Sequence, residues 1–316
     1  MGERRGCFKI GCLGCLGVAV LVAVVLAVLL LIGVLTGRGA EQFEDIDRTY
    51  AVPGAGQPPP TGAADPLAGG LVDHEIEVAE PGRVVLDLHR GNFEVRPGPP
   101  GEPVRLEGRY DAGRYVLTES YETHGESGWT YRVSFDQKGF GIRPFVEREG
   151  RENRLCVVVP RESPIVLEGR VGTGVSELEL GGLWLIEVDL DIGVGEHSVS
   201  FSEPLPVPLG RLRIDGSIGV LEVDRVGNAS PREVSVHHSM GEVGVDLTGA
   251  WRRDAEVLVS CGLGECGVRV PRDANLDLER TSVMIGEASR PVARHDRDGP
   301  TLKLSVSGQI GEVRIH

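Results

Sequence analysis

One glycine returns at nearly even intervals through the second half of the chain. It stands at Gly174, Gly195, Gly219, Gly241, Gly264, Gly286 and Gly311, with spacings of 21, 24, 22, 23, 22 and 25 residues. An apolar residue precedes it in six of the seven copies: Val194, Ile218, Met240, Leu263, Ile285 and Ile310. Glutamate follows it in five: Glu196, Glu242, Glu265, Glu287 and Glu312. A period of roughly 20–50 residues marks an array of stacked units, each of which needs its neighbours.

The pattern inside a copy says what the units are. Around Gly241 the apolar residues fall at Val234 and Val236, then at Val243, Val245 and Leu247. Around Gly264 they fall at Val257, Val259 and Cys261, then at Cys266, Val268 and Val270. Alternation with period two describes strands with one buried face. Each copy therefore reads as a strand, a tight glycine corner, a second strand and a looser return. One copy cannot bury its own apolar stripe, whereas a stack buries a continuous one. The expected fold is all-β: a β-solenoid of about seven turns of about 22 residues over residues 163–316.

The copies VGTGVSELEL, DIGVGEHSVSF, DGSIGVLEVD, HSMGEVGVDL, CGLGECGVRV, VMIGEASR and GQIGEVRIH resemble the bacterial putative-adhesin β-solenoids, including the toast-rack domains of LiaF-like envelope proteins. The resemblance covers about half of the chain. It implies a non-catalytic, envelope-exposed module, with a part in envelope stress sensing through a protein partner. The sixth copy departs from the pattern, because Arg290 and Pro291 replace its apolar alternation.

The N-terminal half is organised differently. No charge occurs from Ile10 to Gly37, and Val18 to Val34 is almost wholly aliphatic. A run of that length is expected to cross a bilayer as one α-helix, here over residues 11–37. Arg4, Arg5 and Lys9 precede it, while Glu41, Glu44, Asp45 and Asp47 follow. That asymmetry puts residues 1–10 in the cytoplasm. The expected location is the bacterial cytoplasmic (inner) membrane, single-pass, with the C-terminal domain periplasmic or extracellular. Cys12 and Cys15 form a CxxC without the second pair that a zinc site needs, and read as small residues near the headgroups. Residues 38–70, rich in Pro and Gly, read as a linker. Residues 71–162 read as a β region capping the near end of the array. Its aromatics (Tyr115, Tyr121, Trp129, Tyr131, Phe135, Phe140 and Phe145) pack in that cap or, on the alternative reading, line a glycan groove.

Chemistry is sparse. A net charge of −14 argues against nucleic acid, which requires a basic footprint. The eight histidines show no HExxH, and neither GxSxG nor GxxxxGK[ST] occurs. No enzyme, metal or cofactor is expected. The alternative, a carbohydrate-active β-helix enzyme or glycan-binding protein, would need clustered carboxylates or a groove. His197, His238, Cys261 and Cys266 fall in the inward set. They read as buried polar packing, with a Cys261–Cys266 disulfide as the alternative in an exported chain. The glutamates after the glycine fall in the outward set and read as a solvated edge, with calcium or a basic partner as the functional alternative. The connections carry Arg225, Arg232, Trp251, Arg252, Arg253, Arg272, Arg290 and Arg294. They form the candidate surface for an acidic protein or envelope polymer, since insertions in repeat proteins gather on the binding face. Leu302–Val306 and Glu312–His316 read as the last turn, whose open C-terminal edge is expected to support self-association.

Overall fold

The computed structural model describes residues 42–53, 80–125, 127–138, 153–289, 293, 295 and 298–316. Among the described residues thirteen strands form one sheet. In chain order they are β1 (Phe43–Tyr50), β2 (Gly82–Pro97), β3 (Val104–Asp111), β4 (Tyr115–His124), β5 (Gly128–Gln137), β6 (Arg154–Val159), β7 (Ile165–Glu179), β8 (Leu185–Ser200), β9 (Arg211–Asp224), β10 (Glu233–Asp246), β11 (Ala255–Arg269), β12 (Asn275–Ala288) and β13 (Thr301–Ile315). A helical turn, α1 (Val226–Ala229), lies in the connection after β9.

Eight strands run parallel in the order β2-β7-β8-β9-β10-β11-β13-β12. Their register is set by the recurring glycine. Gly91 pairs with Gly174, and the column continues through Gly195, Gly219, Gly241, Gly264 and Gly311 to Gly286. The φ angles in this column lie between +123° and +151°, a region closed to most L side chains. Space is closed too: a Cβ on Gly241 would stand 2.0 Å from the carbonyl oxygen of Gly219.

At the glycine the alternation of side chains changes phase. On β10, Val234, Val236 and His238 are buried, Met240 and Glu242 are exposed, and Val243 and Val245 are buried again. Both arms thus turn their apolar sets into one core. Phe201, Leu205, Leu209, Val226, Ala229, Leu247 and Val270 from the connections complete that core. The connections also bond to each other, as in Phe201 N–H to Asp224 O at 3.1 Å and Gly227 N–H to Thr248 O at 3.1 Å.

The near end of the stack splits at Gly91. The first arm of β2 pairs with β5, which carries β4; the second arm pairs with β6, which carries β3 and then β1. The two branches meet at Glu119 of β4. Its carboxylate, almost fully buried, accepts hydrogen bonds from Arg48 Nη1 at 2.7 Å, Tyr131 Oη at 2.8 Å and Tyr50 Oη at 3.2 Å. Between the branches the rings pack on one another. Tyr50 stacks on Tyr121 at 5.5 Å, Tyr115 on Phe135 at 4.9 Å, and Trp129, Tyr131 and Phe135 are buried.

This architecture corrects the expected fold. Among the described residues no helix is long and apolar enough to cross a membrane; residues 11–37, where a transmembrane α-helix was expected, lie outside the described residues. The copies are strands of a single sheet, in place of the two strands and corner expected of each copy. Each is one continuous strand of 14–16 residues, because pairing on either side of the glycine keeps one register. Residues 43–50, expected in the linker, form β1. The chain's last strand is not the edge either. β13 inserts between β11 and β12. The reason is visible in the side chains: β13 buries Leu302, Leu304, Val306, Val313 and Ile315, while the second arm of β12 ends in exposed Gly286, Glu287 and Ala288. The interior position goes to the strand with more apolar surface to bury.

The glycine column generates a direct test. Gly241→Ala is expected to destabilise the fold by about 3 kcal/mol through backbone strain and overlap with the neighbouring carbonyl. Gly244→Ala, where a Cβ meets nothing within 4 Å, should change stability by about 1 kcal/mol or less. Urea unfolding of the two variants against the parent distinguishes them.

Candidate binding surface

The structure first relocates the arginines of the connections. Arg252 lies half-buried and donates from Nη2 to Leu205 O at 2.8 Å and from Nη1 to Pro206 O at 3.3 Å. Arg253 donates from Nε to Ser230 O at 3.2 Å and from Nη2 to Leu209 O. Trp251 turns its indole N–H onto Leu247 O at 2.7 Å and packs on the core. Arg252 and Arg253 thus tie connections more than forty residues apart in sequence, while Trp251 closes on its own connection four residues back. Burial, and then the neighbouring Arg253, hold the Arg252 guanidinium below its ordinary pKa. Arg225 adopts a left-handed backbone conformation at the start of α1 and reaches Ser202 O at 3.4 Å. Arg232 and Arg272 are exposed. Arg290 and Arg294 lie outside the described residues.

The inward polar residues are buried as their register implied. His197 is 4% exposed and His238 3% exposed. His197 Nδ1 and Ser176 Oγ lie 2.8 Å apart, and His238 donates from Nε2 to Gly219 O at 3.1 Å. Burial pushes the His197 imidazole down to about 4, with a backbone contact at Val194 opposing and nearby His238 reinforcing the shift. Burial likewise lowers His238. Cys261 and Cys266 are buried free thiols in contact across the glycine. Their hydrogen bond lowers Cys261 and, together with burial, raises Cys266. Among the described residues no three His, Cys, Asp or Glu side chains gather as a metal-ligand set.

What stands open is the ridge beside the glycine column. The phase change turns outward the residue before each glycine, and parallel register aligns these residues across six strands: Val194, Ile218, Met240, Leu263, Ile310 and Ile285. Each is 43–61% exposed. At a strand spacing of 4.8 Å the column is about 24 Å long. On the other side of the glycines runs Glu196, Val220, Glu242, Glu265, Glu312 and Glu287. Arg314 bridges Glu312 at 2.5 Å and Glu265 at 3.5 Å. A contiguous exposed apolar column on a soluble surface marks a contact site more often than an isolated apolar residue does.

The apolar residue before each glycine is plain in the sequence, but its direction is not. Strict alternation from Val234 and Val236 puts Met240 inside. The signal that contradicts this is the buried residue at Val243, an odd number of positions from Val236: the chain must change phase between them.

No family model and no curated protein matches the chain. Among solved structures it is similar to a putative cell adhesion protein from Clostridium sporogenes, with 10% identity and a TM-score of 0.40, covering 87% of this chain and 99% of that one. It is similar also to a putative adhesin from Bacteroides fragilis, with 11% identity and a TM-score of 0.36 over 88% and 98% of the two chains. A putative adhesin from Parabacteroides merdae gives 11% and 0.36 over 87% and 98%. At such scores the reading of the surface rests on this chain's own residues.

Two outcomes follow from this geometry. Between pH 6.5 and about 4 the unfolded chain protonates His197 while the folded chain keeps it neutral. The unfolded state therefore binds more protons, and stability falls as the pH falls through that window. The loss from His197 is about 3 kcal/mol at most. Thermal unfolding of His197→Leu across the same pH range should show a weaker acid dependence than the parent. Arg252→Ala should lower stability by about 2 kcal/mol, because it strands the carbonyls of Leu205 and Pro206; denaturant midpoints measure it.

Proposed function

We propose that this chain is a non-catalytic binding module of a bacterial envelope, adhesin-like in its sheet, which holds a basic protein partner along the ridge. The observation that carries the reading is the pair of columns beside the glycines, one apolar and one dominated by glutamate. A partner with alternating apolar and cationic side chains buries the first and neutralises the second. Electrostatic attraction to an acidic chain, net −14, steers such a partner to the surface and makes binding sensitive to salt. The arginines at 252 and 253 support an acidic partner less well, because they already donate to backbone carbonyls.

Attachment to the membrane, and display outside the cytoplasm, rest on the uncharged apolar run from Ile10 to Gly37 and the basic residues before it. A role in envelope stress sensing rests on the resemblance of the repeats to those of LiaF-like proteins, with partner occupancy of the ridge as the signal.

A synthetic peptide of alternating leucine and arginine serves as the probe, with its leucine–glutamate counterpart as control. The full chain in detergent is expected to bind the first and not the second, with affinity falling as salt rises. Replacing Ile218, Met240 and Leu263 together by serine should weaken binding at least tenfold and leave the unfolding temperature within about 2 °C, since these side chains are exposed. Equal binding of the acidic peptide, or full affinity in the serine variant, would refute the ridge as the site.

A further inference from the structure

Two inward positions face each other across the bend of the parallel strands, three residues before the glycine and two after it. Both stay in register from strand to strand. Gly216, His238, Cys261 and Gly308 form one column, and Leu221, Val243, Cys266 and Val313 form the other. The glycines of the first column measure the gap between the two. A Cβ on Gly216 would stand 3.2 Å from Leu221 Cδ2, and one on Gly308 would stand 3.0 Å from Val313 Cγ2. A valine Cγ lies about 1.5 Å from its own Cβ. The two Cβ positions on β13 are therefore within about 4.5 Å of each other, and a disulfide spans roughly 3.5–4.5 Å between Cβ atoms.

Strand β11, paired to β13 at both positions, puts a thiol at each of them. Cys261 and Cys266 are free in the structure, 7% and 2% exposed, and hydrogen-bonded to one another. Cys156 lies on β6, separated from β11 by the five strands β2, β7, β8, β9 and β10, so within the folded sheet each thiol of β11 has the other as its neighbour.

We propose that Cys261 and Cys266 are an oxidation site: a disulfide formed between them, by exchange with a small-molecule disulfide, staples β11 across its bend and stabilises the fold. The staple encloses Leu263 and Glu265, one member of each ridge column, and holds them in the geometry that the folded sheet gives them.

Cys261 is the first nucleophile, since its hydrogen bond from Cys266 favours the thiolate. Its sulfur attacks one sulfur of the oxidant, the oxidant's S–S bond breaks, and the leaving thiolate takes up a proton as the first free thiol. Cys266 then gives up its proton and attacks the Cys261 sulfur of the mixed disulfide, which releases the second thiol. The two cysteines lose two electrons and the oxidant gains them. Both sulfurs are covered once the core closes, so the exchange belongs to the folding chain, where only four residues separate the pair. Display outside the cytoplasm, as read above, supplies the oxidising surroundings.

The test unfolds the full chain in urea with non-ionic detergent and refolds it either in mixed oxidised and reduced glutathione or in dithiothreitol. The oxidant is supplied, so the outcome is independent of where the chain resides and of what the ridge binds. Free thiols are then alkylated and the chain is cut after Arg253 and Arg269. From the glutathione arm, peptide 254–269 is expected two hydrogens lighter, without alkyl groups, and still joined after a further cut at Glu265. The thermal midpoint of the glutathione-refolded chain should lie about 4 °C above that of the dithiothreitol-refolded one. Cys261→Ala with Cys266→Ala should abolish that difference, and Cys156→Ala should retain it. Alkylation of both Cys261 and Cys266 in the glutathione arm overturns the proposal. So does pairing of either with another cysteine, an unchanged thermal midpoint, or a difference that survives the double substitution.

Discussion

The approach of one glycine to the next strand's glycine carbonyl governs this molecule. Eight parallel strands cross at that column, and at its interior members a Cβ would lie 1.8–2.0 Å from the neighbouring oxygen. Hydrogen bonding therefore continues through the bend without a change of register. Because register is common to every strand, each position of the repeat becomes a column on the surface or in the core. A displacement of one residue would move every side chain to the other face, so the glycines fix far more than their own conformation.

The columns explain why the two faces of the repeat differ in kind. The connections vary in length, and their backbone groups must find partners wherever they pass. Arg252, Arg253 and Trp251 meet that need by donating to the carbonyls of Leu205, Pro206, Ser230, Leu209 and Leu247. An arginine-rich face thus serves cohesion. The glycine side has no such debt, since its backbone is paired from strand to strand. Its side chains are available, and six of them are apolar and aligned.

Much of this was legible from residue order. Alternation with period two identified the strands, the interval between glycines identified the repeat, and the inward set placed His197, His238, Cys261 and Cys266 in the core, where they lie. Gly91, outside the seven copies counted from the sequence, is a full member of the column. Residues 43–50 were not recognisable as a strand. FEDIDRTY is acidic and half-exposed, and it is held by pairing to β3 and by Arg48 and Tyr50 reaching Glu119, partners about seventy residues away. The direction of Met240 and its equivalents was hidden for a related reason: alternation is a local rule, and the phase change is imposed by the bend.

Sequence alone determined the all-β repeat, its period and the identity of its buried set, because these depend on intervals within one copy. Tertiary structure decided that β13 lies inside β12, that the arginines are spent on backbone carbonyls, and which columns face outward. Each of those outcomes is a competition between distant segments for the same buried surface or the same hydrogen-bond partner. Such competitions are settled by how much apolar area and how many polar groups each candidate brings to the shared position, and no single copy of the repeat contains that comparison.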